Sequence, residues 1–401
     1  MNDSLRIVPF SVLAEINPKT HLPFGGECSF LGMSDVSDDG RVVSSHVRSV
    51  EDSIGYTAFR EQDVLFAKIT PCMENGKGAL VGDLNSGFGF GSTEFHVLRS
   101  TGKSHSRFVA HWAQSRLLRK KAEAFMVGSA GQRRVPAGFF SIFKVPLLPM
   151  YEQRKIAEVL DALDEASHSC EAAIAKLDLT RWAVVQENLV YASADDWVQG
   201  RVADFGEVRM GRQRSPKHES GTSLTPYLRV ANVFDGRIDY SDVLSMNFSL
   251  REREIYGLKP GDILLNEGQS LELVGRSAIY QGPPGRYCYQ NTLIRYRCVG
   301  SLLPEFAQLK FSSWLRLGYF SRFAFQTTSI AHLGSDRFAQ MEMNIPSLEE
   351  QRRIVSIIEA HDERIAAERA RLEKLRTLKA GLMDDLLTGR VRVDQLKDLP
   401  V

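Results

Sequence analysis

The sequence predicts an α+β protein of two pseudo-repeated globular domains separated by two long helices. Three observations point to it. One segment recurs, without gaps, at an offset of 198 residues. Both copies of that segment carry apolar residues at the 3.5-residue spacing of a coiled coil. The stretches ahead of the copies hold short β-branched or aromatic runs bounded by Gly, Asp, Asn or Pro.

The recurrence pairs Glu152-Gln153-Arg154 with Glu350-Gln351-Arg352, Ile156 with Ile354, Ala162 with Ala360, Asp164-Glu165 with Asp362-Glu363, Ala172 with Ala370 and Lys176-Leu177 with Lys374-Leu375. A period this long is a duplicated domain, because solenoid repeats run about 20 to 50 residues. The predicted stripe of the second helix is Ile354, Ile358, His361, Ile365, Glu368, Leu372, Leu375, Lys379, Leu382 and Leu386. At the shifted positions the first helix offers Ile156, Leu160, Leu163, Ser167, Cys170, Ile174, Leu177, Arg181, Val184 and Asn188. Pro149 and Pro346 stand just ahead, where a helix start tolerates proline. About 38 residues make a rod of roughly 55 Å. The two stripes share one register, which favours pairing of the helices with each other; packing of each on its own block is the alternative.

In the blocks, Asp63–Phe66 and Asp262–Leu265, Thr93–Leu98 and Thr292–Tyr296, and Phe30–Met33 and Tyr227–Val230 read as strands. Helical stretches follow at about 107–125 and 305–325, so each block is α+β. The predicted boundaries are 1–148 for the first domain, 149–195 for its helix, 196–346 for the second domain, 347–393 for its helix and 394–401 for a tail.

A chain of 401 residues exceeds the size of a typical single core. Its hydrophobic content of 43% and charged content of 25% are those of a soluble globular protein. No stretch approaches the ~20 apolar residues of a membrane span, and the start of the chain lacks a basic region leading into an apolar core, so a cytoplasmic location is expected. Five cysteines without a Cys-x-x-Cys pair argue against a disulfide framework and a zinc site. A net charge of +1 places any nucleic-acid contact in local patches.

Catalytic constellations are scarce. Gly87-Phe88-Gly89-Phe90-Gly91 leads into a strand pattern where a cofactor loop needs a helix, so a glycine-rich hairpin is expected. Asn17-Pro18 lacks a following aromatic residue to stack on a flipped base. No phosphate loop, His-Glu-x-x-His or Gly-x-Ser-x-Gly occurs, and neither an active site nor a metal site nor a cofactor is predicted in this chain. What remains is basic and polar: the run Arg209 to His218 with Arg209, Arg212, Arg214 and Lys217; the run Ser129 to Arg134 with Gln132, Arg133 and Arg134; its shifted counterpart Thr327 to His332; and a helical patch of Arg116, Arg119, Lys120 and Lys121. Arg and Gln suit both phosphate contact and the edges of guanine and adenine.

The run Val145-Pro146-Leu147-Leu148-Pro149-Met150-Tyr151-Glu152-Gln153-Arg154-Lys155-Ile156-Ala157, its partner Ile345-Pro346-Ser347-Leu348-Glu349-Glu350-Gln351-Arg352-Arg353-Ile354 and the terminal Leu386-Leu387-Thr388-Gly389-Arg390-Val391-Arg392-Val393 resemble the repeated regions of the specificity subunit of Type I restriction-modification systems. Asp63 to Lys77 is similar to a stretch of that family's target-recognition domains. The second copy departs from the pattern at Met343-Asn344, at Ser347 and in Asp262-Ile263-Leu264-Leu265-Asn266-Glu267. The resemblance covers essentially the whole chain. It implies that each globular domain is a target-recognition domain reading one half of a bipartite, asymmetric DNA site, with the helices forming an antiparallel coiled coil that sets the unread spacer.

It also implies a non-catalytic chain that docks methyltransferase (modification) subunits and serves an ATP-driven restriction subunit, with S-adenosylmethionine, ATP and Mg in those partners. The candidate DNA-contacting residues are Lys68, Gln132, Arg133, Arg134, Arg209, Arg212, Arg214, Lys217 and His332; the candidate partner-docking residues are Glu152, Gln153, Arg154, Glu350, Gln351 and Arg352. Three other readings compete: a specificity subunit of another methyltransferase or nuclease assembly, a coiled-coil scaffold with two protein-binding heads, and a methyltransferase with an atypical loop at Gly87 to Gly91.

Overall fold

The computed structural model describes residues 5–20, 25–129, 131–190, 196–215, 223–326 and 330–398. Two compact units divide the chain, Met1–Ala172 with Arg369–Val401, and Ala173–Glu368. Both boundaries fall inside long helices, Met150–Val185 and Leu348–Leu387, so each unit holds one globular block and a portion of each helix.

In the first unit an antiparallel sheet orders Ala14–Ile16, Phe95–Ser100, Asp63–Ala67 and Gly78–Leu80. Asp63–Ala67 is buried at every position, which is why it reads as a continuous apolar run rather than an alternating one. A second sheet orders His46–Ser49, Glu27–Leu31, Phe88–Gly91 and Thr57–Arg60. Its Glu27–Leu31 and Phe88–Gly91 strands are parallel. The glycine run is therefore an inner strand, which corrects the expected hairpin. A Cβ at Gly89 would stand 2.6 Å from Ser29 O and one at Gly91 2.5 Å from Leu31 O, so the flanking backbone excludes side chains there.

The second unit repeats this order. Gly206–Met210, Leu293–Cys298, Ile263–Asn266 and Ser277–Ile279 form one antiparallel sheet, and Leu244–Asn247, Leu224–Leu228 and Cys288–Tyr289 form the other, again with a parallel pair. One ion pair is kept in both blocks. Arg99 grips buried Asp63 through two hydrogen bonds of 2.8 and 2.7 Å, and Arg297 grips buried Asp262 through two of 2.6 and 2.7 Å. Each aspartate also accepts the backbone N–H three residues before it, from Arg60 and from Lys259, so it ties a turn to the neighbouring strand.

The long helices carry the predicted stripe: none of its positions is exposed in either helix. Within the first unit Lys379 pairs with Asp164, and Arg376 donates to Glu171 at 2.8 Å; within the second, Arg181 grips Asp362 and Arg353 donates to Asn188. In both units partner numbers fall in one helix as they rise in the other, so the helices run antiparallel. They also pack on the blocks, and the two expectations hold together. Ile156, Leu160, Met383, Leu386 and Leu387 join Phe66, Trp112, Phe139 and Phe140 in the core of the first unit, while Val185, Ile354 and Ile358 join Tyr296, Phe306, Phe311 and Phe338 in that of the second. All five cysteines are free thiols, and among the described residues no helix is long and apolar enough to cross a membrane.

One core position differs sharply between the units. Trp112 is almost fully buried in the first; at the shifted position the second has Lys310, also buried, whose Nζ donates to Leu189 O at 3.0 Å and Asn344 Oδ1 at 2.9 Å. Burial lowers this ammonium from 10.5 to about 8. The folded chain releases the proton at a lower pH than the unfolded chain. Between about pH 8 and 10.5 the unfolded state therefore binds more protons, and stability rises with pH across that window. Cys288, Cys298 and Tyr289, whose pKa values burial raises, work in the opposite direction above about pH 9, so comparing urea midpoints of the wild type and Lys310→Met from pH 7 to 10.5 is expected to show a more positive slope in the wild type; equal slopes would mean that the ammonium is not depressed.

Candidate nucleic-acid interface

In the first unit the 63–77 stretch and the 129–134 loop meet. Lys68 N–H donates to Glu94 O at 2.9 Å, Val135 N–H donates to Lys68 O at 2.9 Å and Thr70 N–H donates to Arg133 O at 3.0 Å. On this frame Arg134 grips Glu94 with Nε and Nη2 at 2.8 to 3.1 Å, which holds the Glu94 carboxyl below its ordinary range. Arg133 lies 3.5 Å from Glu74, whose Oε1 accepts the Thr70 hydroxyl. Both guanidinium groups remain well exposed, and Gln132 beside them is exposed. Beneath them buried His96 directs Nε2 to Val135 O at 2.8 Å, and burial lowers its pKa, so it serves as a neutral strut. Asn17 completes that strut through His96 Nδ1 and the Val97 N–H, a structural role for the Asn-Pro step.

The second unit keeps the frame and changes the side chains. Glu267 N–H donates to Thr292 O and Leu333 N–H donates to Glu267 O, both at 2.9 Å, reproducing the two bonds made by Lys68. Glu267 stands where the first unit has Lys68, Thr292 where it has Glu94, and His332 where it has Arg134. His332 Nδ1 lies 3.1 Å from Glu267 Oε2, with the imidazole about half exposed.

The repeated glutamines bind helix to block in the same way twice. Gln153 Oε1 accepts His105 N–H at 3.0 Å while its Nε2 donates to Lys103 O and Leu148 O, both at 2.9 Å. Gln351 Oε1 accepts Leu303 N–H at 2.9 Å, and its Nε2 donates to Ser301 O at 2.7 Å and Pro346 O at 2.9 Å. All three partners of one glutamine lie 198 residues from those of the other. Such correspondence fits a duplicated unit.

The family model of the Type I restriction modification DNA specificity domain matches residues 15–177 and 194–377. The chain belongs to this family. Among its relatives in Escherichia coli, the EcoEI specificity subunit is 35% identical over 162 residues, which cover 39% of this chain and 27% of that protein. The EcoAI specificity subunit is 38% identical over 149 residues (36% and 25%), and that of EcoKI, from strain K12, is 30% identical over 234 residues (54% and 50%). The matched span is about a quarter of the length of the first two relatives and half of the third. Among solved structures, one from work on the assembly and conformational transition of the type I R-M system superposes with a TM-score of 0.64 at 18% identity, covering 98% of this chain and 99% of that one. The HsdS subunit from Thermoanaerobacter tengcongensis superposes with 0.51 at 20% identity, covering 98% of both chains. These likenesses show the fold.

Within the two specificity domains the candidate residues separate. The frames gather Lys68, Gln132, Arg133 and Arg134 in one domain and place His332 in the other. Arg209 lies on the Gly206–Met210 strand rather than in a loop and pairs with Glu207 at 2.8 Å. Arg212 is a correction: it is buried, pairs with Glu252 at 2.8 Å, donates to Asn247 O and lies 4.8 Å over the Phe248 ring, so it is an internal brace rather than a DNA contact. Arg214 is exposed, and Lys217 lies outside the described residues. Arg119 of the basic helix is likewise internal, bonded to Ala113, Met73 and Lys77 carbonyls.

The docking candidates separate too. Gln153 and Gln351 are fully buried with their amides occupied, so neither presents a surface. Glu152 is buried and gripped by Arg392 in two hydrogen bonds, whereas Glu350 is half-buried and pairs with Arg353 at 2.6 and 2.7 Å. Arg154 and Arg352 are exposed at matching places. Sequence reading missed Glu74, Glu94 and Thr292; the 198-residue offset carried to the neighbours of Arg134 and His332 would have found the last two. Among the described residues, a group with metal-ligand chemistry is His111, Asp161 and Asp164, but His111 binds Asp161 at 2.9 Å, Arg107 binds Asp161 at 2.8 Å and Lys379 binds Asp164.

Gln153→Ala strands the buried Leu148 carbonyl and frees the Lys103 carbonyl and the His105 N–H, and is expected to destabilise the first unit by about 2 kcal/mol. Gln351→Ala is expected to do the same in the second. Chemical denaturation followed by hydrogen exchange assigns the loss to a unit; a loss below about 0.5 kcal/mol in both would remove the latch role.

Proposed function

We propose that the chain is a non-catalytic DNA-recognition subunit whose two specificity domains each read one half of a split DNA sequence. The observation that carries this reading is the shared frame with exchanged side chains: Lys68, Glu94 and Arg134 in one domain against Glu267, Thr292 and His332 in the other. A frame that fixes position while its side chains vary is what recognition of two different short sequences requires, because base edges are read by side-chain donors and acceptors. The antiparallel helices hold the spacing of the half-sites, about one DNA turn of ~34 Å. Methyl transfer to adenine from S-adenosylmethionine belongs to modification subunits, which dock on the long helices near exposed Arg154 and Arg352. An ATP- and Mg-dependent restriction subunit belongs to the same assembly, and the complex acts in the cytoplasm, where its DNA is. The competing scaffold with two protein-binding heads gives no reason for one frame to carry two polar sets.

The test is a genome-wide map of adenine methylation in a host that expresses this chain with its modification partner. One split motif with a fixed gap is expected to depend on the chain. Arg134→Ala is expected to relax one half-site, at about 1 to 3 kcal/mol for the base affected, and His332→Ala the other. Relaxation of the same half-site by both substitutions, or of neither, defeats the assignment. Four residues inserted after Ala172, about one helical turn, are expected to change the gap and spare both half-sites; an unchanged gap would take the spacer role from the helices.

A further inference from the structure

The second unit contains a pocket of about 620 Å³ whose lining matches no part of the DNA frame. Its wall includes Tyr240, which is 43% exposed, and Tyr287, with ring centroids 5.3 Å apart and planes tilted by 37°. The Arg286 guanidinium lies 5.5 Å from the Tyr287 centroid, and Arg237 stands on the rim. Neither arginine forms an ion pair among the described residues, and no acidic side chain is among those lining the pocket. The lining also includes Gln308, a buried residue whose Nε2 donates to Ser277 O, Ser277 Oγ and Ser312 Oγ at 3.0 to 3.1 Å.

The corresponding corner of the first unit is narrower. Its rim turn is tied to the long helix by His168 to Asp39 at 3.3 Å and Arg41 to Glu171 at 3.7 Å. Ala110 takes the place of Gln308, and about 330 Å³ remains. The two corners descend from one fold; the second pairs an aromatic surface with cations, whereas Asp39, Asp161, Asp164 and Glu165 stand among the residues lining the first.

We propose that this pocket binds a nucleoside phosphate, with the base against the exposed Tyr240 ring beside Tyr287 and the phosphate on Arg237 and Arg286. A planar ligand suits the rings, and guanidinium groups without an ion pair, Arg237 stacked on Phe234 at 4.8 Å and Arg286 beside Tyr287, select an anion. The volume lies within the range of small-ligand sites. The ligand is either a free nucleotide or an unpaired nucleotide of a single strand, which share this chemistry. The site is independent of the half-site reading, since none of its residues belongs to the recognition frame.

The experiment titrates the purified full chain with AMP, with inorganic phosphate and with a single-stranded five-nucleotide oligomer by calorimetry, alongside Tyr240→Ala and Arg286→Gln. Both substitutions replace exposed side chains, and circular dichroism confirms folding. AMP is expected to bind more tightly than phosphate, with affinity about tenfold lower in each variant. Equal dependence on Tyr240 with much tighter binding of the oligomer would assign the site to single-stranded nucleic acid; tighter binding of AMP would assign it to a free nucleotide. No binding of AMP or the oligomer at millimolar concentration, or binding that both variants leave unchanged, overturns the proposal.

Discussion

A buried primary amide joins each long helix to its globular block, and the arrangement of the rest follows from it. A glutamine side chain has one acceptor and a two-proton donor, and Gln153 and Gln351 use both ends on backbone groups of the segment preceding the block's helix and on the turn before their own. Three backbone groups, among them the buried Leu148 or Pro346 carbonyl, are satisfied by one side chain at no net charge. An unpaired backbone group there costs about 1 to 3 kcal/mol, so the helix angle relative to the block is strongly defined. A carboxylate would face two carbonyls at the same place, and an aliphatic side chain would leave all three groups unpaired.

With that angle fixed, variation elsewhere becomes tolerable. The aspartate and arginine pairs at 63 and 99, and at 262 and 297, hold the central strands in both units. The loop running alongside them keeps its backbone bonds while its side chains change sign, Lys68 becoming Glu267. Backbone hydrogen bonds do not depend on side-chain identity, which separates the part of the block that fixes shape from the part that carries chemistry. The same separation accounts for the weak sequence likeness of the two blocks beside the matching strand order of their four-stranded antiparallel sheets.

The helices were legible because periodicity is one-dimensional: a stripe every 3.5 residues is visible without knowing what covers it, and even its polar members Ser167, Arg181 and Lys379 are sheltered. The strand pair 63–66 and 93–98 was legible for a similar reason, both being short apolar runs between turn residues. Burial of charge was not. Arg119 and Arg212 look like their surface neighbours in sequence, and only the carbonyls of Met73, Lys77 and Asn247 that meet them reveal their internal role. The glycine run at 87–91 misled in the opposite way, since glycine serves both turns and strands pressed by neighbouring backbone. Gln153 and Gln351 stood out by recurrence, which marks a shared constraint without saying whether it faces inward or outward.

On the proposed half-site reading, the pairing of Arg133 and Arg134 with carboxylates bears on how a nearly neutral chain would discriminate among DNA sequences. Unpaired Arg133 and Arg134 would attract phosphate at any sequence, and such attraction supplies most non-specific affinity. Glu74 and Glu94 neutralise that attraction and repel the DNA backbone, while holding each guanidinium in a defined orientation. A base edge that satisfies the guanidinium in this orientation gains a directed hydrogen bond without displacing the carboxylate, because five N–H donors serve both partners. A mismatched base offers nothing in return for the carboxylate's repulsion of the approaching backbone. Specificity is a difference between affinities, so lowering the background raises it as effectively as strengthening the correct contact. In the second domain Glu267 stands beside His332 in the same way, and on the proposed reading the near-zero net charge is a property that recognition of short half-sites uses.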